Sequence, residues 1–171
     1  MLEIRPATAD DAFLIALLAR VTFTESFGYL FRDRRDLLAY YDRTFSEKKI
    51  ADGLAKPGNR FFLAFYDRLP VGYAKLKLNC PSDFLDGEGV CQLQKIYVLR
   101  DFLSKKIGLS LYNELMRTAA KNKQMEVWLS VLSSNRRAVQ FYDKTGFRKI
   151  GEHTFSIGRE TFLFTAMSRQ V

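Results

Sequence analysis

The sequence predicts one α/β domain built on seven strands, and three observations carry that expectation. Short β-forming runs alternate with helix-spaced apolar stripes in the order βααββ and then βαβαββ. The 171 residues are 47% hydrophobic and 14% aromatic, enough for one sizeable core and short for two. No internal repeat, low-complexity tract or linker-like shift in composition divides the chain, so a single domain over 1–171 is expected.

Residues 2–5 read as a short strand. Ala9-Asp10-Asp11 opens a helix whose first turn suits two carboxylates and whose Leu14, Leu17, Leu18 and Val21 form one apolar side. The pattern breaks at Gly28 and resumes as a helix over 34–45, with Leu37, Leu38, Tyr41 and Phe45 spaced for burial. A further turn or two follows over 46–54. After the loop Lys56-Pro57-Gly58-Asn59, residues 60–66 and 71–78 form a hairpin around Asp67-Arg68-Leu69-Pro70. Residues 79–90 form a polar loop whose Asp83, Asp86 and Glu88 either draw a cation or are simply solvated.

Residues 92–112 are the segment around which the chain is organised. Leu93, Ile96, Tyr97 and Val98 make a strand. After Ser104, Ile107, Leu111, Leu115 and Ala119 recur every four residues, widened by Leu109, Tyr112 and Met116 into the stripe of an amphipathic helix. Between them lies a tight basic turn, Ser104-Lys105-Lys106-Ile107-Gly108-Leu109. It sets two ammonium groups beside the unpaired N–H groups of a helix start, a place suited to a phosphate. Residues 125–131 form the next strand. Ser133-Ser134-Asn135 caps a helix over 136–145, on which Ala138, Phe141 and Tyr142 share a face, and Gly146 is the left-handed residue that closes it. Two strands, 147–154 and 161–168, complete the chain across a turn at 156–160.

The formal charge of +8 is unevenly spread. Residues 1–90 hold thirteen basic and thirteen acidic side chains, whereas 91–171 hold fourteen and six, so the whole excess lies in the half with the basic turn. A ligand rich in phosphate accounts for that asymmetry; nucleic acid is the rival account. Cys80 and Cys91 flank a loop without metal-ligand spacing and are expected to be free thiols. No metal site is expected. The start MLEIRPATADD lacks a basic and apolar leader, and no stretch of eighteen apolar residues is found, so a cytoplasmic enzyme without a membrane anchor is expected.

Two blocks carry a resemblance to a known family. Lys105-Lys106-Ile107-Gly108-Leu109-Ser110 is similar to the Gln/Arg-x-x-Gly-x-Gly/Ala turn of the GCN5-related N-acetyltransferases (GNAT), with Lys in place of Arg or Gln and Ser in place of the second small residue. Downstream, Asn135, Ala138, Tyr142, Gly146 and Phe147 stand at the spacing of that family's Asn-x-x-Ala-x-x-x-Tyr-x-x-x-Gly-Phe block. The stretch TFTESFG, residues 22–28, further resembles the polyamine acetyltransferases of the PaiA type. The resemblance implies a mixed sheet with helices on both faces and two central strands that splay at the cofactor site.

It also implies a chemistry: acetyl-CoA as the acetyl donor and a primary amine as acceptor, a polyamine such as spermidine or spermine being the best single guess. The cofactor residues it implies are Ile96, Tyr97, Val98, Ser104, Lys105, Lys106, Ile107, Gly108, Leu109, Asn135 and Tyr142. The backbone N–H of Val98 would steady the acetyl carbonyl, and Tyr142 would be the catalytic acid that protonates the leaving sulfur. Glu25, Phe27 and Glu88 are the candidates for contact with the acceptor, with Tyr29 and Tyr40 able to shape its mouth. The base is where the chain departs from the family. Gln92 and Gln94 stand where polyamine acetyltransferases tend to keep a carboxylate, and neither can take a proton. His153, the sole histidine, reads as a structural residue on a late strand. Two alternatives remain: an enzyme for protein or peptide amines, and a CoA-binding regulatory protein that has lost turnover. The expected partner is a small-molecule amine, without nucleic acid or membrane. A homodimer is compatible with the sequence, which does not fix the oligomeric state.

Overall fold

The computed structural model describes residues 1–171, and its backbone forms one seven-stranded mixed sheet in the order β1-β2-β3-β4-β5-β7-β6. The elements are β1 (Leu2–Pro6), α1 (Ala12–Phe27), α2 (Arg34–Thr44), α3 (Glu47–Leu54), β2 (Asn59–Tyr66), β3 (Leu69–Lys77), β4 (Val90–Val98), α4 (Ile107–Lys121), β5 (Glu126–Leu132), α5 (Arg136–Lys144), β6 (Arg148–Ile157) and β7 (Glu160–Gln170). Every neighbouring pair is antiparallel except β4 and β5. The parallel pair is joined by α4, the long crossover that parallel strands require.

The sheet divides two apolar cores. On one face Ile107, Leu111, Leu115 and Ala119 of α4 pack on Leu76, Leu93, Val127 and Leu129; on the other, α1, α2 and α3 close over Leu63, Tyr73 and Phe61. The four-residue spacing read in α4 is thus the buried face. In α1 the expected side is only half buried: Leu18 is in the core and Leu14 packs on its edge, but Leu17 and Val21 face outward. Ala12, Ile15, Ala16, Leu18, Ala19 and Phe23 face the sheet, while Leu17 is 49% and Val21 38% exposed. The helix is apolar around most of its circumference, so periodicity gave little contrast, and its alanines form the side that approaches the strands closely. By length and composition Ala9–Leu30 is apolar enough to cross a membrane; here its inner side is occupied by this core. In α2, Leu37, Tyr40 and Tyr41 are buried and Leu38 is outside.

Both hairpin turns are tighter than their sequences suggest. Asp67 and Arg68 both take positive φ, 48° and 68°, the backbone of a two-residue turn, so β3 begins at Leu69. Likewise β6 and β7 run to Ile157 and from Glu160, leaving only Gly158 and Arg159 between them. That second turn is tied to α2: Arg159 N donates to Asp36 Oδ2 at 3.0 Å, and Arg32 Nε to Glu160 at 2.7 Å. The region 79–90 folds back over the sheet. Phe84 lies so close to Gly151 that a Cβ there would stand 2.4 Å from its ring, and Trp128 Nε1 donates to Cys80 O at 2.7 Å.

Arg5 and Asp11 anchor β1 to the start of α1. The guanidinium donates two hydrogen bonds of 2.8 Å to the carboxylate, which also accepts from Thr8 N at 2.7 Å. Those bonds, led by Arg5, hold the Asp11 carboxyl well below the ordinary carboxylate range. A group depressed in the folded state stabilises the fold above its unfolded pKa and loses that contribution as pH falls through the carboxylate range. Asp11→Asn is therefore expected to cost about 1.5–3 kcal/mol at neutral pH, the worth of hydrogen bonds to a charged group. Chemical denaturation across pH should show that cost shrinking in acid.

Candidate active site

A gap opens in the middle of the sheet. β4 and β5 pair only over Val90–Gln92 and Glu126–Trp128, although β4 continues to Val98 and β5 to Leu132. Beyond Gln92 the edge of β4 facing β5 has no strand partner. Leu99 N donates to Val71 O on the β3 side at 2.8 Å. Successive N–H groups on a strand point to opposite sides, so that of Val98 points into the gap. A register shift between Lys75 and Leu76, opposite Gln94, adds to the bend of β4.

Two chambers meet at this gap, sharing Ile96, Tyr97, Asn135 and Tyr142. The first, of about 540 Å³, lies between the start of α4 and the start of α5. Residues Arg100–Lys105 make a 3₁₀ turn, and Lys106 then takes a left-handed backbone, φ 59° and ψ 16°, from which α4 departs. The first bond into the helix runs from Ser110 N to Lys106 O at 3.1 Å, leaving the N–H groups of Ile107, Gly108 and Leu109 at an open helix start. A Cβ added at Gly108 would meet nothing within 4 Å, so this start faces free space. Ser104, Lys106, Gly108 and Leu109 line the chamber, together with Arg100, Arg136 and Arg137. Ile107 is fully buried in the core and offers only its backbone. Lys105 turns away, its ammonium 5.3 Å from the centre of the Tyr66 ring.

Glu25 lines this same chamber, and its carboxylate accepts from Arg100 N at 2.9 Å, fixing α1 to the 3₁₀ turn. It is thus engaged away from the second chamber. Asn135 Oδ1 accepts from Ala138 N at 3.3 Å, capping α5.

The second chamber, of about 660 Å³, is aromatic: Phe23, Phe27, Phe31, Tyr40, Trp128 and Phe162 are among its walls. Its charged and imidazole groups are Asp83, Lys95 and His153. The Lys95 ammonium sits 5.3 Å from the Phe45 ring centre and 5.9 Å from that of Tyr97. Burial pulls its pKa down to about 8. His153 Nε2 is 2.7 Å from Ser130 Oγ, and the imidazole stacks on Phe164 at 5.5 Å and 12°. Phe27 lines both chambers, Tyr40 the second and Tyr29 the first. Glu88 lines neither. It belongs to a separate depression with Asn122, Lys123 and Met125, because the loop turns outward at Gly87 and Gly89.

Tyr142 stands where the chambers join, edge-on to Phe141 and Phe147 at 5.3 and 5.5 Å. Burial, and secondarily Tyr112, pushes its phenol above the ordinary range, so the proton is held throughout neutral pH. Cys91 is free, buried and pushed up to about 12 by burial, hence not a nucleophile; Cys80 is free as well.

Residues 22–147 match the family model described as acetyltransferase (GNAT) family. The chain belongs to the GNAT family. An uncharacterized N-acetyltransferase of Mycobacterium tuberculosis is 31% identical over 122 residues, 71% of this chain and 74% of that one. A spermidine N(1)-acetyltransferase of Thermoplasma acidophilum is 22% identical over 151 residues, 86% of this chain and 88% of that one. The fold matches the crystal structure of the PaiA N-acetyltransferase of T. acidophilum in complex with coenzyme A. That match has a TM-score of 0.78 and 20% identity over 100% of this chain and 99% of that one.

This GNAT chain is an acyltransferase that uses acetyl-CoA. The first chamber fits that molecule: an open helix start beside Lys106, Arg136 and Arg137 suits a pyrophosphate, and the bare edge of β4 suits an amide-bearing arm. The sequence did not show that Arg100, Arg136, Arg137 and Lys95 line the chambers, nor that Ser130 pairs with His153. The arginines next to Asn135 were visible in the second motif block as exposed charges; the other residues had no sequence signal.

Proposed function

We propose that this enzyme transfers an acetyl group directly from acetyl-CoA to a primary amine seated in the aromatic chamber. The observation that carries the reading is the meeting of a basic, helix-start chamber and an aromatic chamber at a gap bordered by the Val98 N–H and the Tyr142 hydroxyl. When bound, acetyl-CoA supplies an activated thioester. Val98 N–H donates to the carbonyl oxygen as charge gathers on it, and Tyr142 gives its proton to the departing sulfur. Ile96 and Tyr97 border the reacting groups. Lys106, Ser104 and the N–H groups of Ile107, Gly108 and Leu109 hold the phosphates, with Arg136 and Arg137 opposite them.

Spermidine or spermine is the first acceptor class, supported by the Thermoplasma relative's name and by Asp83 at the chamber wall. A peptide or arylalkyl amine is the second. The aromatic-rich lining favours it, as does Lys95, an ammonium without an ion-pair partner that repels a second positive charge. Amines of both classes are offered to the enzyme with acetyl-CoA, and release of free CoA is followed. Amine-dependent release supports acetyl transfer, and the preferred amine decides between the classes. CoA binding without release in any amine would favour a turnover-deficient regulatory protein, to which Gln92 and Gln94 lend support.

Lys95 gives a further expected result. With its pKa near 8, it is charged below that pH and neutral above, so its repulsion of a polycationic acceptor fades as pH rises. Lys95→Met is expected to lower KM for spermine below pH 8, with little effect above it, and to raise the melting temperature by removing a half-buried unpaired charge. Paired KM profiles of the parent and the variant check this.

A further inference from the structure

The acceptor is bound mainly as an ammonium at neutral pH, and a proton must leave it before nitrogen can attack. Glu25 is bonded to Arg100 N, Gln92 and Gln94 cannot accept a proton, and Glu88 lies outside the chamber. One polar pair within the aromatic chamber remains without a task. Ser130 projects from β5 just beyond Trp128, its last paired neighbour on the face toward the acceptor, so its hydroxyl borders the gap. Its hydrogen-bond partner is His153, two strands away across β7. The reach is possible because the residue between them, opposite Ser130 on β7, is the small Ala166. Phe164 stacks on one side of the imidazole and Phe84 lies 6.2 Å away, which fixes the ring with Nε2 toward Ser130.

We propose that Ser130 and His153 form the proton relay that deprotonates the acceptor amine. The inference rests on the acetyl-transfer reading above. Ser130 Oγ takes a proton from the ammonium as its own proton passes to His153 Nε2. The freed lone pair then forms the C–N bond while the C–S bond breaks, and the electron pair goes to sulfur, which takes the Tyr142 proton. The second proton that nitrogen loses on becoming an amide replaces the one Tyr142 gave. His153 releases the first to solvent, so one proton leaves per turnover. The other titratable groups around this chamber are Asp83 from the loop, Lys95 and Tyr97 from β4, Tyr40 from α2 and Tyr142 from α5. Of these, Asp83 and Lys95 are the competing bases.

The test compares the parent with His153→Gln, which can still hydrogen-bond Ser130 but holds no proton, and with Ser130→Ala. Whichever amine the parent turns over best is the acceptor. His153→Gln is expected to lower kcat/KM for the amine about 10²–10⁴-fold, as for loss of a general base. It should also alter the pH profile of kcat, while thermal stabilisation by acetyl-CoA is retained. Ser130→Ala should lower kcat with the parent's pH profile, and it reads the relay by itself if His153→Gln does not fold. Parent-like kcat/KM with an unaltered pH profile in either variant overturns the relay and leaves acetyl transfer standing. A fall in kcat in Asp83→Asn or Lys95→Met with parent-like kcat in His153→Gln overturns it in favour of that residue. A parent that turns over no amine removes the function and the relay together.

Discussion

Replacing Tyr142 by Phe is expected to lower the maximal rate of acetyl transfer about 10²–10⁴-fold, the usual worth of a positioned acid. Only the hydroxyl is lost. The ring contacts with Phe141 and Phe147 persist, so the melting temperature and its rise with acetyl-CoA should hold. The loss belongs in kcat rather than KM, because the proton reaches sulfur only as the bond breaks. Its size should shrink for a donor whose thiol is more acidic, since that leaving group needs less help. Parent-like turnover of Tyr142→Phe across about pH 6–9 would return Tyr142 to the role of a packed aromatic.

The second large effect concerns the basic rim. Lys106→Gln, Arg136→Gln and Arg137→Gln each remove a cation that lines the phosphate chamber. At about 1.5–3 kcal/mol per charge-assisted contact, each is expected to weaken CoA about 10- to 100-fold, less in high salt. Lys105→Gln, by contrast, removes an ammonium that lies over Tyr66 and should change CoA affinity little. Calorimetric titration with CoA checks the four variants together. Equal losses at Lys105 and Lys106 would contradict the geometry of the turn.

That contrast between adjacent lysines shows where sequence reading stops. The turn itself was legible, because a strand, a basic glycine-bearing turn and a four-residue apolar repeat leave few alternatives for residues 92–119. Which ammonium enters the chamber depends on the left-handed backbone at Lys106, and no residue type there announces it. The seven strands were legible from their β-forming runs. Their spatial order was not, and the order β5-β7-β6 is what brings Ser130 to His153. A lone histidine on a late strand therefore read as structural. Glu25 was a candidate because the resemblance sets the early helices over the acceptor mouth, and Glu88 because it lies in an acidic loop. One proved to hold the 3₁₀ turn, and the other faces a different depression. In α1 the near-uniform apolar character hid which face is buried.

The most direct test of the account is a coupled assay for free CoA with mass spectrometry of the amine, run on the parent enzyme with acetyl-CoA and a panel of primary amines. CoA release that depends on the amine and matches acetylated amine one for one is expected. Tight acetyl-CoA binding with no amine-dependent release would contradict it.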